Sequence, residues 1–187
     1  DHGAITVFED GKPVLYDFTF NGWGRKFPAE KDNAITLQLY ESGIFKSAEY
    51  RDMSRFVLEG GSIETDGRGV LLTTESCLLS EYRNPSMSKA EIELFLKTTF
   101  NVQKVLWLSH GELAGDDTDG HIDTLARFVS EDTIAYVDCN NANDVHHADL
   151  QAMKRELQTF ATMDGKPYKL VPLPMASPAF DEDGNRI

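Results

Sequence analysis

The densest set of groups able to do chemistry is GDDTDGHID, residues 115–123, with four Asp and one His in nine positions. Three readings compete for it. As a solvated acidic loop it does nothing, because charge runs usually lie on the surface. As a calcium loop it needs oxygen ligands at positions 1, 3 and 5, Gly at 6 and Glu at 12. Setting Gly120 at position 6 puts Gly115 at 1 and Ala126 at 12, so two ligands fail and no metal is expected. The third reading starts from a strand expected over 120–129, on which His121 and Asp123 are two apart and share a face. A carboxylate beside an imidazole favours its protonated form, which makes an acid/base group with an anion next to it. Taken alone, His121 also reads as a hydrogen-bonded core histidine.

Two more carboxylates stand at comparable places. Glu59 follows the apolar run Phe56, Val57, Leu58 and precedes Gly60-Gly61, while Asp1 leads into the alternating DHGAITVF. An acid there can simply cap a strand end. A Gly pair, however, also lets backbone approach a ligand closely. Two carboxylates facing one cavity suit a planar cation, since a guanidinium presents five donors in a fixed fork. Composition agrees: 31 Asp+Glu against 18 Lys+Arg give a net charge of −13, which argues against nucleic acid or an anionic membrane as partner. No stretch is apolar enough for a membrane span. Cys77 and Cys139 are too few for a disulfide framework, so a reducing cytoplasm is expected.

The elements that position these residues repeat. Residues 59–74, EGGSIETDGRGVLLTT, read as two short strands around a turn. A helix begins at Ser88, with Glu91 completing a capping box, Met87 and Ile92 at staple positions, and an apolar stripe through Ile92, Phe95 and Leu96. VQKVLWL, residues 102–108, closes the unit as a strand. From Gly120 the order recurs: strands over 120–129 and 133–137, a helix over about 144–162 with Leu150, Met153, Leu157 and Phe160 on one face, and a strand at 168–174. A looser copy starts at Asp1, with strands in DHGAITVF and KPVLYDFTF, a helix near 32–42 and a strand near 54–58. The expected fold is therefore α/β, built of ββαβ modules at approximately 1–58, 59–119 and 120–187. Glu59 and His121 lie 62 residues apart and Asp1 and Glu59 58 apart, so a radial arrangement would bring all three to one central cavity. The opening Asp1 and the loop-like DEDGNRI at the end read as the limits of an interior piece.

FNGWGRK, LEGGSIETDGRGVLLTTESCLLSEYRNP and GDDTDGHIDTLARFV resemble the agmatine deiminase family, also called bacterial-type peptidylarginine deiminases, within the guanidino-group-modifying superfamily. The resemblance implies a pseudo-five-fold α/β propeller, of which about three modules are present. Residue by residue it implies Asp1 and Asp123 as carboxylates that grip the guanidinium and Glu59 as a further carboxylate on that side or a support for it. His121 becomes the general acid/base, with Asp117 and Trp23 near the substrate. The implied substrate is agmatine, a small cationic guanidino compound, hydrolysed to N-carbamoylputrescine and ammonia on a route to putrescine and other polyamines. No cofactor is implied, and a homodimer is a candidate assembly.

The family's nucleophile is a Cys in a Gly-rich His-Cys segment near the C terminus of the complete protein, a segment this sequence does not contain. Cys77 and Cys139 both follow second strands and read as structural, so the chain by itself is expected to be inactive. The alternatives are an enzyme acting on peptidylarginine or free arginine, an amidinotransferase or dimethylarginine hydrolase of the same superfamily, or a non-catalytic piece that merely holds cations.

Overall fold

The computed structural model describes residues 1–182 and 184. Three three-stranded sheets follow one another, each ordered first, second, third along the chain. In the first, β1 (Ile5–Glu9) pairs antiparallel with β2 (Lys12–Thr19), and three short helical segments, α1 (Gly22–Arg25), α2 (Glu30–Asn33) and α3 (Ile35–Glu41), lead to β3 (Glu49–Val57), which lies parallel to β2. In the second, a 3-10 turn at Gly60–Ser62 enters β4 (Ile63–Thr65), which is antiparallel to β5 (Val70–Thr74). The short α4 (Glu75–Leu78) and the longer α5 (Lys89–Phe100) carry the chain to β6 (Lys104–Leu108), parallel to β5. The third repeats this with a 3-10 turn at Ile122–Thr124, β7 (Ala126–Ser130), β8 (Thr133–Asp138), α6 (His147–Leu157) and β9 (Lys169–Pro174).

Local sequence explains where α5 begins and which face both long helices bury. Ser88 Oγ accepts from the Glu91 amide while Glu91 Oε2 accepts from the Ser88 amide at 2.7 Å, so the capping box satisfies two otherwise unpaired donors of α5. Asn101 in the left-handed region ends it. Of the stripe, Ile92 and Leu96 are fully buried and Phe95 partly so. On α6, Leu150, Met153 and Leu157 are buried, and Phe160 packs from just beyond its end.

The core is two layers divided by the middle sheet. Val70 and Leu72 of β5 face the layer containing α6, whereas Leu71 between them faces the layer containing α5 and β2. That is the period of two of a strand buried on both faces. Truncating any of these leucines to alanine would cost about 2–5 kcal/mol through lost burial and a residual cavity.

Several boundaries differ from the sequence reading. The strand expected over 120–129 begins only at Ala126, because Ile122 and Leu125, three apart and both buried, turn the chain through a 3-10 segment first. The helix near 32–42 is two pieces, α2 and α3, and the strand near 54–58 is the longer β3. α6 is shorter than 144–162. Of the DEDGNRI end, residues 183 and 185–187 lie outside the described residues. Among the described residues no helix is long and apolar enough to cross a membrane.

Candidate active site

Glu59 and His121 stand in matching backbone settings, each the residue immediately before a 3-10 turn at the entry to a sheet. The two meet side by side: His121 Nε2 lies 3.5 Å from Glu59 Oε2, and both side chains are fully buried. Asp1, ahead of the first sheet, closes the other side, with Oδ2 3.8 Å from His121 Nδ1. Its position is fixed by two donors, the Gly61 amide to Oδ1 at 2.8 Å and Trp23 Nε1 to Oδ2 at 2.9 Å.

Asp123 joins from within its 3-10 turn. A Cβ on Gly61 would stand 2.6 Å from Asp123 Oδ2 and 2.7 Å from His121 Nδ1, so only glycine leaves these two groups room. His121 and Asp123 do come together, but not by the strand alternation expected of them; the 3-10 turn delivers both to Gly61. Asp123 is exposed and makes no hydrogen bond among the described residues. His121 Nε2 is the one buried side-chain polar atom among them without a hydrogen-bond partner.

Arg83, which the sequence reading passed over, is the cation of the cluster. Its Nε donates to both Glu59 oxygens at 2.8 and 3.1 Å, Nη1 to Asp119 Oδ2 at 2.7 Å and Nη2 to the Thr118 carbonyl at 2.8 Å. Burial pushes the Glu59 carboxyl up, but the imidazole beside it and the hydrogen bonds and charge of Arg83 together outweigh burial and hold it below the ordinary carboxylate range. The same balance lowers Asp119: burial opposes, and hydrogen bonds from Lys26 and Arg83 win. Local sequence carries no signal for Arg83, since it sits in a loop 24 residues from Glu59 and 36 from Asp119. The only hint is that several buried carboxylates demand a counter-charge.

The acid-rich run is mostly architectural. Asp116 accepts from the Thr118 and Gly120 amides and the Thr118 hydroxyl, Thr118 Oγ1 accepts from the His121 amide, and Thr74 Oγ1 donates to the Gly120 carbonyl. Asp117 is exposed, and only its carbonyl is engaged, by Lys26 Nζ. No hydrogen bond or ion pair among the described residues ties its carboxylate to Asp1, Glu59 or His121. Trp23 lies near them through its bond to Asp1. A cavity of about 800 Å³ opens beside the run, lined by Lys26, Ser76, Asp116 and Asp119 among others, but not by Asp1, Glu59, His121 or Asp123.

Cys77 lies nearer this chemistry than its place in the sequence implies, with Sγ 3.9 Å from Glu59 Oε2. Burial pushes its thiol far above the ordinary range, so it holds its proton and is a poor nucleophile. Glu59, Cys77 and His121 offer ligand atoms within 4.8 Å of one another. A metal would have to displace Arg83 from both Glu59 oxygens and deprotonate that thiol, so the donor set does not fit an ion. The arrangement is instead a buried imidazole between two carboxylates, with a third at the rim, suited to orienting a cation and moving a proton.

The family model described as Porphyromonas-type peptidyl-arginine deiminase matches residues 1–187. The agmatine deiminase of Stutzerimonas stutzeri (strain A1501) is 37% identical over 192 residues, covering 98% of this chain and 50% of that protein. A Porphyromonas gingivalis structure provisionally named an arginine deiminase superposes with a TM-score of 0.96 at 51% identity, covering 100% of this chain and 55% of the other. The C. jejuni agmatine deiminase, a cysteine-to-serine variant with substrate bound, superposes with a TM-score of 0.89 at 42% identity, covering 100% and 53%. This chain spans about half the length of the curated relatives it matches. With its whole length matched by the family model, the chain belongs to the Porphyromonas-type peptidyl-arginine deiminase family.

Proposed function

We propose that this chain supplies the guanidinium-binding and acid/base half of an enzyme that hydrolyses agmatine to N-carbamoylputrescine and ammonia, a step toward putrescine. The observation that carries the reading is His121 held between Asp1 and Glu59, with Asp123 beside it across Gly61. Asp1 and Asp123 hold the guanidinium nitrogens, and Glu59, already occupied by Arg83, supports His121 from behind. A cysteine thiolate, contributed by the part of the relatives that this chain does not cover, attacks the guanidinium carbon. Protonated His121 gives its proton to the departing nitrogen, ammonia leaves, and an S-alkylthiouronium remains. Neutral His121 then takes a proton from water, the oxygen adds to the same carbon, and the C–S bond breaks as the added hydroxyl gives up its remaining proton to solvent, releasing the neutral ureido product and the thiolate. The Cys-to-Ser form of the C. jejuni enzyme with substrate bound is in keeping with a sulfur nucleophile. In the complete protein we infer three such modules of a pseudo-five-fold α/β propeller, with the first-strand ends facing its centre, in the cytoplasm.

Agmatine is preferred because three of the nearby cations are already engaged. Arg83 is taken by Glu59 and Asp119, Lys26 by Asp119, and Arg127 by Glu64 at 2.7 Å. An α-carboxylate would find those cations occupied and would lie near acids, a costly desolvation. Arginine, free or in a peptide, is the second reading, favoured by the 51% identity to the P. gingivalis structure. Comparing kcat/KM for agmatine, arginine and a blocked arginyl peptide on the full-length protein decides between them. The highest value is expected for agmatine, and an equal or higher value for either rival overturns the assignment.

A further inference from the structure

We propose that Arg83 is a positioning residue of this site: one buried internal guanidinium that fixes Glu59 behind His121 and ties together the three segments that carry or hold the reacting groups. What those groups do rests on the deiminase reading above; that Arg83 organises them rests on geometry alone.

The first segment is the one ending in Glu59. Arg83 takes both carboxylate oxygens, and the next residue, Asn84, holds Val57 two positions earlier, Oδ1 accepting its amide at 3.0 Å and Nδ2 donating to its carbonyl at 2.9 Å. Arg83 and Asn84 thus grip the backbone and the side chain of the same short stretch. The second segment is the run leading to His121. Arg83 reaches it twice, at the Thr118 carbonyl and at Asp119, while Thr118 in turn accepts the His121 amide through its hydroxyl. The third is the turn bearing Trp23. Gly24, at φ +79°, packs its α-carbon against this ion pair; a Cβ there would stand 3.1 Å from Asp119 Oδ2 and 3.3 Å from Arg83 Nη1. Lys26 of the same turn also binds Asp119, and Trp23 holds Asp1. Glu59, His121 and Asp1 therefore share one rigid hub.

Chemistry requires an arginine here. A planar fork can serve a carboxylate, a second carboxylate and a carbonyl at once, whereas a lysine is a single point charge. Because Arg83 occupies both Glu59 oxygens, Glu59 is left to face His121 and not a substrate, which divides the labour among three acids. Removing a buried positive charge also raises the proton affinity of every group around it. The pH–rate profile of an Arg83→Met variant should therefore move to higher pH on both limbs.

The test uses the full-length protein with Arg83→Lys, Arg83→Met, Glu59→Gln and the double variant Arg83→Met/Glu59→Gln. Arg83→Lys keeps the charge but loses the fork, and a kcat loss of about 10²-fold with little change in KM is expected from misplaced acid/base geometry. In a thermal-stability cycle, Arg83→Met should destabilise the wild-type background far more than the Glu59→Gln background, since the double variant leaves no unpaired buried charge. If Arg83→Met does not fold, Arg83→Lys takes its place in the cycle. Wild-type kcat in Arg83→Lys, an unshifted pH profile in folded Arg83→Met, or additive losses of Tm, overturn the proposal. The Tm cycle needs no substrate, so a wild-type protein that turned over no guanidino compound would defeat the deiminase reading while the organising role of Arg83 was still tested by the cycle.

Discussion

In the loop at 115–120 two of the three carboxylates are spent on holding structure, Asp116 on the Thr118 and Gly120 amides of the loop and Asp119 on Lys26 and Arg83 of neighbouring segments. Around Gly61 the same side-chain type is sparse and held differently. Asp1 accepts from Trp23 and the Gly61 amide, and Asp123 accepts nothing among the described residues. A crowd of acids marks a segment that must keep its shape; acids brought singly from distant turns, with lone pairs to spare, are the ones able to meet a cation. The loop serves the cluster by delivering His121 through Thr118 and Gly120.

The largest effect expected from this contrast is at His121. In the full-length protein, His121→Ala should lower kcat/KM by about 10²–10⁴-fold with Tm close to wild type. Activity within about twofold of wild type would remove His121 from the mechanism. Next comes Gly61→Ala, whose methyl meets Asp123 and His121 and should cost about 10²-fold in rate by displacing them. A variant with normal kinetics would mean the space beside Gly61 is not where the guanidinium sits.

A smaller effect separates the two regions by pH. Glu59 and Asp119 both have depressed pKa values in the folded protein. Each contributes stability that is fully present above its unfolded value and is lost as pH falls through the depressed folded value. Acid unfolding followed by circular dichroism should therefore be less steep in Glu59→Gln. An unchanged acid limb would show that Glu59 is not held ionised by its neighbours. The smallest effects belong to the loop. Asp116→Ala should lower stability by about 1–3 kcal/mol through orphaned donors while leaving kcat of the folded fraction nearly intact, and Asp117→Asn should do almost nothing to either. A clear loss of agmatine affinity in Asp117→Asn would return that residue to the substrate-binding set and weaken the contrast.

Much of this was legible in the sequence because it is written in short-range patterns. The capping box at Ser88 and Glu91 and the spacing of Leu150, Met153 and Leu157 each involve residues within a few positions of one another. The 62-residue spacing of Glu59 and His121 was legible because the two turns repeat. Arg83 was not, since its partners lie in other loops and no periodicity points to them. Cys77 reads as structural from the sequence, and its nearness to Glu59 was not legible there: Thr74 caps α4 at the Cys77 amide, and that turn carries the thiol back to Glu59. The 3-10 entry at Ile122–Thr124 was read as strand because its apolar residues, three apart, pass for irregular alternation over so short a stretch.

The central claim is that Asp1 and Asp123 bind a guanidinium by its charge. Calorimetric titration of agmatine and its neutral ureido counterpart into full-length His121→Ala protein, where turnover is removed, tests it most directly. Agmatine should bind more tightly than the ureido compound, and adding Asp1→Asn or Asp123→Asn should each weaken agmatine by at least about tenfold, roughly 1.4 kcal/mol, while barely changing the neutral ligand. Equal affinities for the charged and neutral ligands, or agmatine binding indifferent to both substitutions, would contradict it.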